Sequence, residues 1–253
     1  MSAAAAQPGT GFGAILCSVS TSTNSSRKPP SLICTVDLVL LTLRNEQLQV
    51  LLLKREREPY AGALALPGGY VKPDQDQGCE EAAHRVLHEK AGLDGLYLEQ
   101  LATFSGPGRD PRGWSVSVAY VALVDAGRLA RHAPPAAGCS WLPVDRLPAL
   151  AFDHGHIVEA AVARVRSKSL YSSLPAHLCP EPFTLPELHA VYQAVLGESV
   201  NAVSFRRKMD ELDILDPVAG AKRAEGAHRP AQLYRLKKEF RQRLRLVGRG
   251  LKA

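Results

Sequence analysis

Two apolar runs separated by three residues constrain this chain more than any other feature. "LICTVDLVLLTL" (32–43) and "QLQVLLLKRE" (47–56) flank Arg44-Asn45-Glu46. Runs of this length, rich in Leu and Val and bounded by polar residues, predict a hairpin of largely buried strands. "ALALPGGYV" (63–71) reads as a third strand, broken at Pro67-Gly68-Gly69. A helix is expected over 78–91, where Cys79, Ala82, Ala83, Val86 and Leu87 form an apolar stripe. "LYLEQLATF" (96–104) and "SVSVAYVALV" (115–124) add two strands around the polar loop "SGPGRDPRG" (105–113). "CSWLPVDRLP" (139–148) reads as a short strand and turn, and 152–170 as a helix with Asp153 as its N-cap. Strands mixed with two helices in this order predict an α+β domain over residues 31–168.

Beyond it the pattern changes. Residues 169–183 are short and Pro-rich and read as a linker. Thr184-Leu185-Pro186-Glu187 is a capping box, followed by helical apolar spacing through Leu188, Val191, Tyr192, Val195 and Leu196 to Gly197. A second helix is expected over 201–212, with Phe205, Met209 and Leu212 facing inward. At roughly 100° per residue, Arg207 then points away, with Arg206 and Lys208 on its flanks. Two strand-like pieces, "DILDPV" and "QLYRLKK", follow. Helix, tight turn, helix and basic hairpin is the order of a winged helix-turn-helix over 184–240. Residues 1–30 read as a flexible N-terminal arm and 241–253 as a basic tail.

Charge supports this division. The net charge of +6 is uneven: from Asn201 to Ala253 there are 14 Lys and Arg against 6 Asp and Glu, while the other residues carry 17 against 19. A basic last fifth points to a polyanion partner there. Five scattered cysteines without a CxxC pair fit a reducing compartment. No apolar run approaches the roughly 18 residues of a membrane span, and no basic segment precedes "GFGAILCSV" as in a secretory signal. A cytoplasmic location is therefore expected, with no membrane partner.

"LPGGYVKPDQDQGCEEAAHRVLHEKAGL" (66–93) resembles a Nudix box, Gx5Ex7REUxEExGU with U apolar. Aligned from its C-terminal end, Arg85 takes the Arg position and Gly92-Leu93 the terminal pair. Of the three glutamates in REUxEE only Glu89 is present, with Val86 and Lys90 at the other two positions. In that family the helix glutamates hold Mg²⁺ against a diphosphate. The spacing from Gly69 to Arg85 is also two residues longer than the pattern. Glu80 and Glu81 could lend carboxylates from the previous turn, and His84 and His88 stand at i,i+4 on the same helix. The residual site is thus Arg85 and Glu89, with Glu81 and Glu89 as the metal candidates if any metal binds. Arg55, Arg57, Arg109 and Arg112 flank strand ends or loops and suit phosphate recognition.

A Nudix-like domain followed by "FTLPELHAVYQAVLG", "FRRKMDELDIL" and "RPAQLYRLKK" resembles the NrtR regulators of NAD metabolism over roughly residues 32–240. The resemblance implies a Nudix-like mixed-sheet α/β/α sandwich and a small winged helix-turn-helix. It implies a homodimeric regulator that senses ADP-ribose or a related nucleotide and binds double-stranded operator DNA. Ligand contacts are expected from Arg55, Arg57, Gly68, Gly69, Arg109 and Arg112, and DNA contacts from Asn201, Ser204, Arg206, Arg207, Lys208 and Arg229. DNA binding would need no cofactor, and Mg²⁺ would enter only with hydrolysis. Two rival readings stand: a Mg²⁺-dependent ADP-ribose pyrophosphatase whose C-terminal domain dimerises, and an RNA-binding factor, which rests on the basic tail alone.

Overall fold

The computed structural model describes residues 32–131, 138–223, 230–241 and 243–246. The hairpin is present as β1 (Ile33–Arg44) and β2 (Gln47–Lys54), closed by Asn45 and Glu46 at φ 51° and 60°. Two consecutive left-handed residues match the right-handed strand twist. The remaining strands of the first domain are β3 (Leu64–Ala65), β4 (Gly68–Tyr70), β5 (Leu98–Gly106), β6 (Ser115–Leu123) and β7 (Cys139–Pro143). They form a seven-stranded mixed sheet in the order β3-β2-β1-β6-β5, with β4 paired to β1 and β7 to β2. β1 and β6 run parallel, from Ile33 opposite Ser115 to Leu41 opposite Leu123.

Alternation along β1 assigns its two faces. Val36, Leu38 and Leu40 pack against Ala82, Ala83, Val86 and Leu87 of α1 (Cys79–Ala91). Val39 and Leu41 share the opposite core with Ile157, Val158, Ala161 and Val165 of α3 (His154–Ser169). The short helix α2 (Ala126–Arg131) carries no buried residue and has no apolar stripe, so the sequence pattern does not announce it.

The C-terminal domain contains β8 (Phe183–Thr184), α4 (Leu185–Leu196), α5 (Ala202–Leu212), β9 (Leu215–Arg223) and β10 (Ala231–Leu236). The three strands pair in the order β8-β10-β9. The capping box at Thr184 and Glu187 closes with both hydrogen bonds, and Gly197 terminates α4 at φ 73°.

The segment expected as a linker is folded and buried. Leu174–Leu178 forms a 3-10 turn, and Leu174, Pro175, Ala176, Leu178 and Cys179 are buried. Of these, Leu174, Ala176, Leu178 and Cys179 belong to one continuous core that also holds Leu188, Tyr192, Phe205 and Met209 of the winged helix. Proline here shapes a packed turn rather than a spacer. The described part of the basic tail returns to this segment, where the Ser173 amide donates to the Arg245 carbonyl at 3.0 Å.

Candidate functional site

The Gly68-Gly69 pair, at the start of β4, sits over a buried polar network. Asp37 projects from β1 toward Gly68, where an added Cβ would lie 2.2 Å from Asp37 Oδ1 and 2.9 Å from the Val36 carbonyl. A side chain at 68 would therefore evict Asp37. Ser117 Oγ donates to Asp37 Oδ2 at 2.6 Å. His154 Nε2 lies 3.5 Å from Asp37 Oδ1, while its Nδ1 accepts the Leu66 amide at 2.9 Å. Burial pulls the His154 pKa down, against the nearby carboxylates of Asp37 and Asp153, which oppose the shift.

Arg109 completes this network. Its Nε and Nη2 fork onto Asp153 at 3.0 and 2.8 Å, and Nη1 donates to Ser115 at 3.2 Å. Its side chain is only 8% exposed and stands 3.7 Å from Asp37 Oδ2. Arg109, expected among the ligand contacts in a loop with little packing role, is a buried clamp between the 105–113 loop and the start of α3. Asp153 occupies the N-cap position but makes no side-chain capping bond, because its carboxylate is engaged by Arg109. Asp153 and Asp37 are remote in sequence, so the loop's Pro/Gly content suggested little packing where there is much.

Arg112, three residues further along the same loop, faces outward instead. Its Nε and Nη2 bond Asp110 at 3.0 and 2.7 Å, and Nη1 donates to the Tyr70 hydroxyl. Its guanidinium lies 5.5 Å from the Tyr70 ring and 5.8 Å from the Phe152 ring. Arg55 stacks on Phe152 at 4.7 Å, held by its Nε bond to the Pro59 carbonyl at 2.8 Å. Tyr60 meets Phe152 edge-on at 4.9 Å. Phe152 and Tyr60 have φ of 56° and 66°, a strained conformation for bulky residues that the surrounding contacts must hold. Tyr60, Tyr70 and Trp114 remain 43%, 49% and 49% exposed. Arg57 is exposed nearby in sequence. The cluster offers flat rings for a base and guanidinium groups for phosphates. Sequence reasoning found its arginines and missed Tyr60, Tyr70 and Phe152. The aromatics directly following "REREP" and "LPGG" were the available signal for Tyr60 and Tyr70, while Phe152 is brought to the cluster by tertiary packing that no local motif announces.

On α1, the expected Arg85–Glu89 pair exists at 3.4 Å but is secondary. Arg85 forks onto Asp76 at 2.8 and 2.7 Å and donates to the Tyr70 carbonyl at 2.9 Å. The Arg85 guanidinium holds the Asp76 carboxyl down at about 2. Arg85 thus ties the loop after β4 to the helix. Glu89 lies between two cations, with Lys72 at 3.7 Å on its other side. Val86 is buried against the sheet, and Gly69 leaves room for it, since a Cβ there would meet Val86 Cγ2 at 3.1 Å. Glu81 is exposed. Among the described residues, no three His, Cys, Asp or Glu side chains converge to hold a metal. These donors do not fit Mg²⁺, which needs an oxygen shell of near-octahedral geometry.

In the C-terminal domain, Asn201 Oδ1 caps α5 by accepting the Val203 and Ser204 amides, each at 3.0 Å. Ser204 is half-buried, whereas Arg206 and Arg207 are exposed. Lys208 does not stand on the outward flank. It is 4% exposed, and its Nζ donates to the Leu170 carbonyl at 2.8 Å. Its position near the inward stripe of Phe205, Met209 and Leu212 accounts for this. Arg229 lies outside the described residues.

A mixed sheet between two helices, with the Gly-Gly strand β4 and its loop leading into α1, defines a Nudix-type domain, and the α4–α5–β9–β10 unit defines a winged helix. A NUDIX domain model matches residues 35–161, and a model of the NrtR DNA-binding winged helix domain matches 175–236. The chain is 40% identical over 208 residues to the ADPR responsive transcriptional repressor NtrR of Acinetobacter baylyi, covering 81% of this chain and 82% of that one. The crystal structure of Shewanella oneidensis NrtR superposes with a TM-score of 0.79 at 38% identity, covering 86% and 99% of the two chains. The same Shewanella protein complexed with a 27mer DNA gives a TM-score of 0.76 at 38% identity, covering 86% and 98%. The chain belongs to the NrtR family.

Proposed function

We propose that this protein is a transcriptional repressor that binds operator DNA through α5 and the wing and responds to ADP-ribose at the Nudix domain. One observation carries the reading. A cluster of Arg55, Tyr60, Tyr70, Arg112 and Phe152 lies beside a helix whose carboxylate positions hold Val86 and Lys90. Such a site can retain a nucleotide with little means of cleaving it. The Acinetobacter relative is described as ADPR responsive, and the Shewanella relative as a DNA complex. Both support the reading. Two copies would present two α5 helices about one DNA turn apart, roughly 34 Å.

The test is a titration of the full chain against DNA from its own gene neighbourhood, with and without ADP-ribose. Binding in its absence and release in its presence are expected. No binding in either condition would overturn the repressor reading and favour a Nudix hydrolase.

A further inference from the structure

Val203 is 78% exposed, more than any other large apolar side chain among the described residues. It stands at the second position of α5, in the first turn after the Asn201 cap. Nothing in the folding of the helix asks for valine there. A β-branched residue is a poorer helix former than alanine, and at this exposure it contributes little apolar burial. Phe205, Lys208, Met209 and Leu212 supply the buried face of α5. At roughly 100° per residue, Val203 lies on the opposite face, one turn before Arg207. Arg206 is exposed beside them.

This inference rests on the reading of α5 as the helix that enters DNA. In that arrangement the N-terminal residues of the helix meet base edges. A branched apolar side chain has one match in the major groove, the 5-methyl group of thymine. We infer that Val203 reads a thymine methyl, and that Arg207 contacts the adjoining guanine edge or phosphate. Val203 is then a specificity-determining residue whose preference is independent of the salt-sensitive contacts of the arginines.

The experiment uses full-length protein and a duplex recovered by selection from a random pool of roughly 30 base pairs, long enough for two half-sites one DNA turn apart. Each thymine of that duplex is replaced singly by deoxyuridine, which removes only the methyl. At one thymine of the site, the wild type should lose about 4-fold in affinity, the value expected for one methyl-sized group buried. Val203→Ala, which removes the contact from both copies on the two half-sites, should bind the original duplex about 16-fold more weakly and show no further loss on uracil substitution at that position. Arg207→Ala should keep the uracil penalty while binding more weakly overall. An equal uracil penalty in wild type and Val203→Ala, or no sensitive thymine, overturns the assignment and leaves operator binding intact. Recovery of no duplex at all overturns both this assignment and the repressor reading.

Discussion

Lys208 of α5 donates to the carbonyl of Leu170 across 2.8 Å, and Leu170 is the residue that closes α3. At the other end of the same helix, Asp153 is gripped by Arg109 from the 105–113 loop. α3 therefore joins the network under β4 to the helix expected to meet DNA. Its 16 residues span about 24 Å at roughly 1.5 Å each.

Lys208→Ala should reduce stability by about 1–3 kcal/mol, because it leaves the half-buried Leu170 carbonyl without its donor. The salt dependence of DNA binding should keep its slope, since this lysine touches no phosphate. Arg207→Ala should lower that slope by about one unit for each copy on the DNA. A lower slope in the Lys208 variant would place its ammonium at the DNA after all.

The same lysine predicts a pH effect. Burial lowers its pKa to about 8, with Glu211 opposing the shift. The unfolded value is near 10.4. Between these values the unfolded chain holds a proton that the folded chain has released, so stability from this group rises with pH from about 8 to about 10. Below about 8 both states are protonated and its contribution is constant. Urea unfolding of wild type and Lys208→Met across this range should show the rise only in wild type. Parallel profiles would exclude Lys208 as its source.

Arg109→Ala should be more damaging than Arg112→Ala. It leaves Asp153 and the buried Asp37 without their guanidinium, a loss of about 3–5 kcal/mol for a broken buried pair. Arg112 is 37% exposed, but its removal unpairs Asp110, whose side chain is 4% exposed, so Arg112→Ala should alter ligand affinity and also cost stability, less than Arg109→Ala, which leaves both Asp153 and Asp37 without their guanidinium. Chemical denaturation distinguishes them, and equal midpoints would contradict the clamp assigned to Arg109.

These contrasts show what the sequence could carry. The hairpin, α1, the capping box and α5 follow from local periodicity, and each is present close to its expected bounds. The buried segment 170–183 reads as a linker because proline and serine carry no periodic signal, while its burial depends on distant α4 and β10. Arg109 and Arg112 look alike in "RDPRG", yet one turns to Asp153 and the other to Tyr70. That choice is made by tertiary partners, as is the turn of Lys208 toward Leu170.

Hydrolysis of ADP-ribose should be slow. Glu89 is held by Arg85 and Lys72, and Val86 and Lys90 supply no oxygen ligand. Release of AMP with Mg²⁺ should fall well below an ordinary turnover of about 10 per second. Turnover at that level would restore the hydrolase reading and direct attention to Glu80 and Glu81.

Nucleotide and DNA should oppose one another by the same factor. A ligand seated against Arg112, Tyr70 and Phe152 borders the loop that Arg109 ties to α3. A shift of that loop reaches α5 through Leu170 and Lys208. Linkage makes the effect reciprocal, so DNA must lower ADP-ribose affinity as much as ADP-ribose lowers DNA affinity, with typical factors of about 5 to 150. Calorimetry of ADP-ribose into the free protein and into its DNA complex measures one arm, and DNA titration with and without nucleotide measures the other. Lys208→Met should shrink both factors together while leaving ADP-ribose affinity for the free protein unchanged. Equal nucleotide affinity in the two states would show that this cluster does not report to the DNA-binding domain.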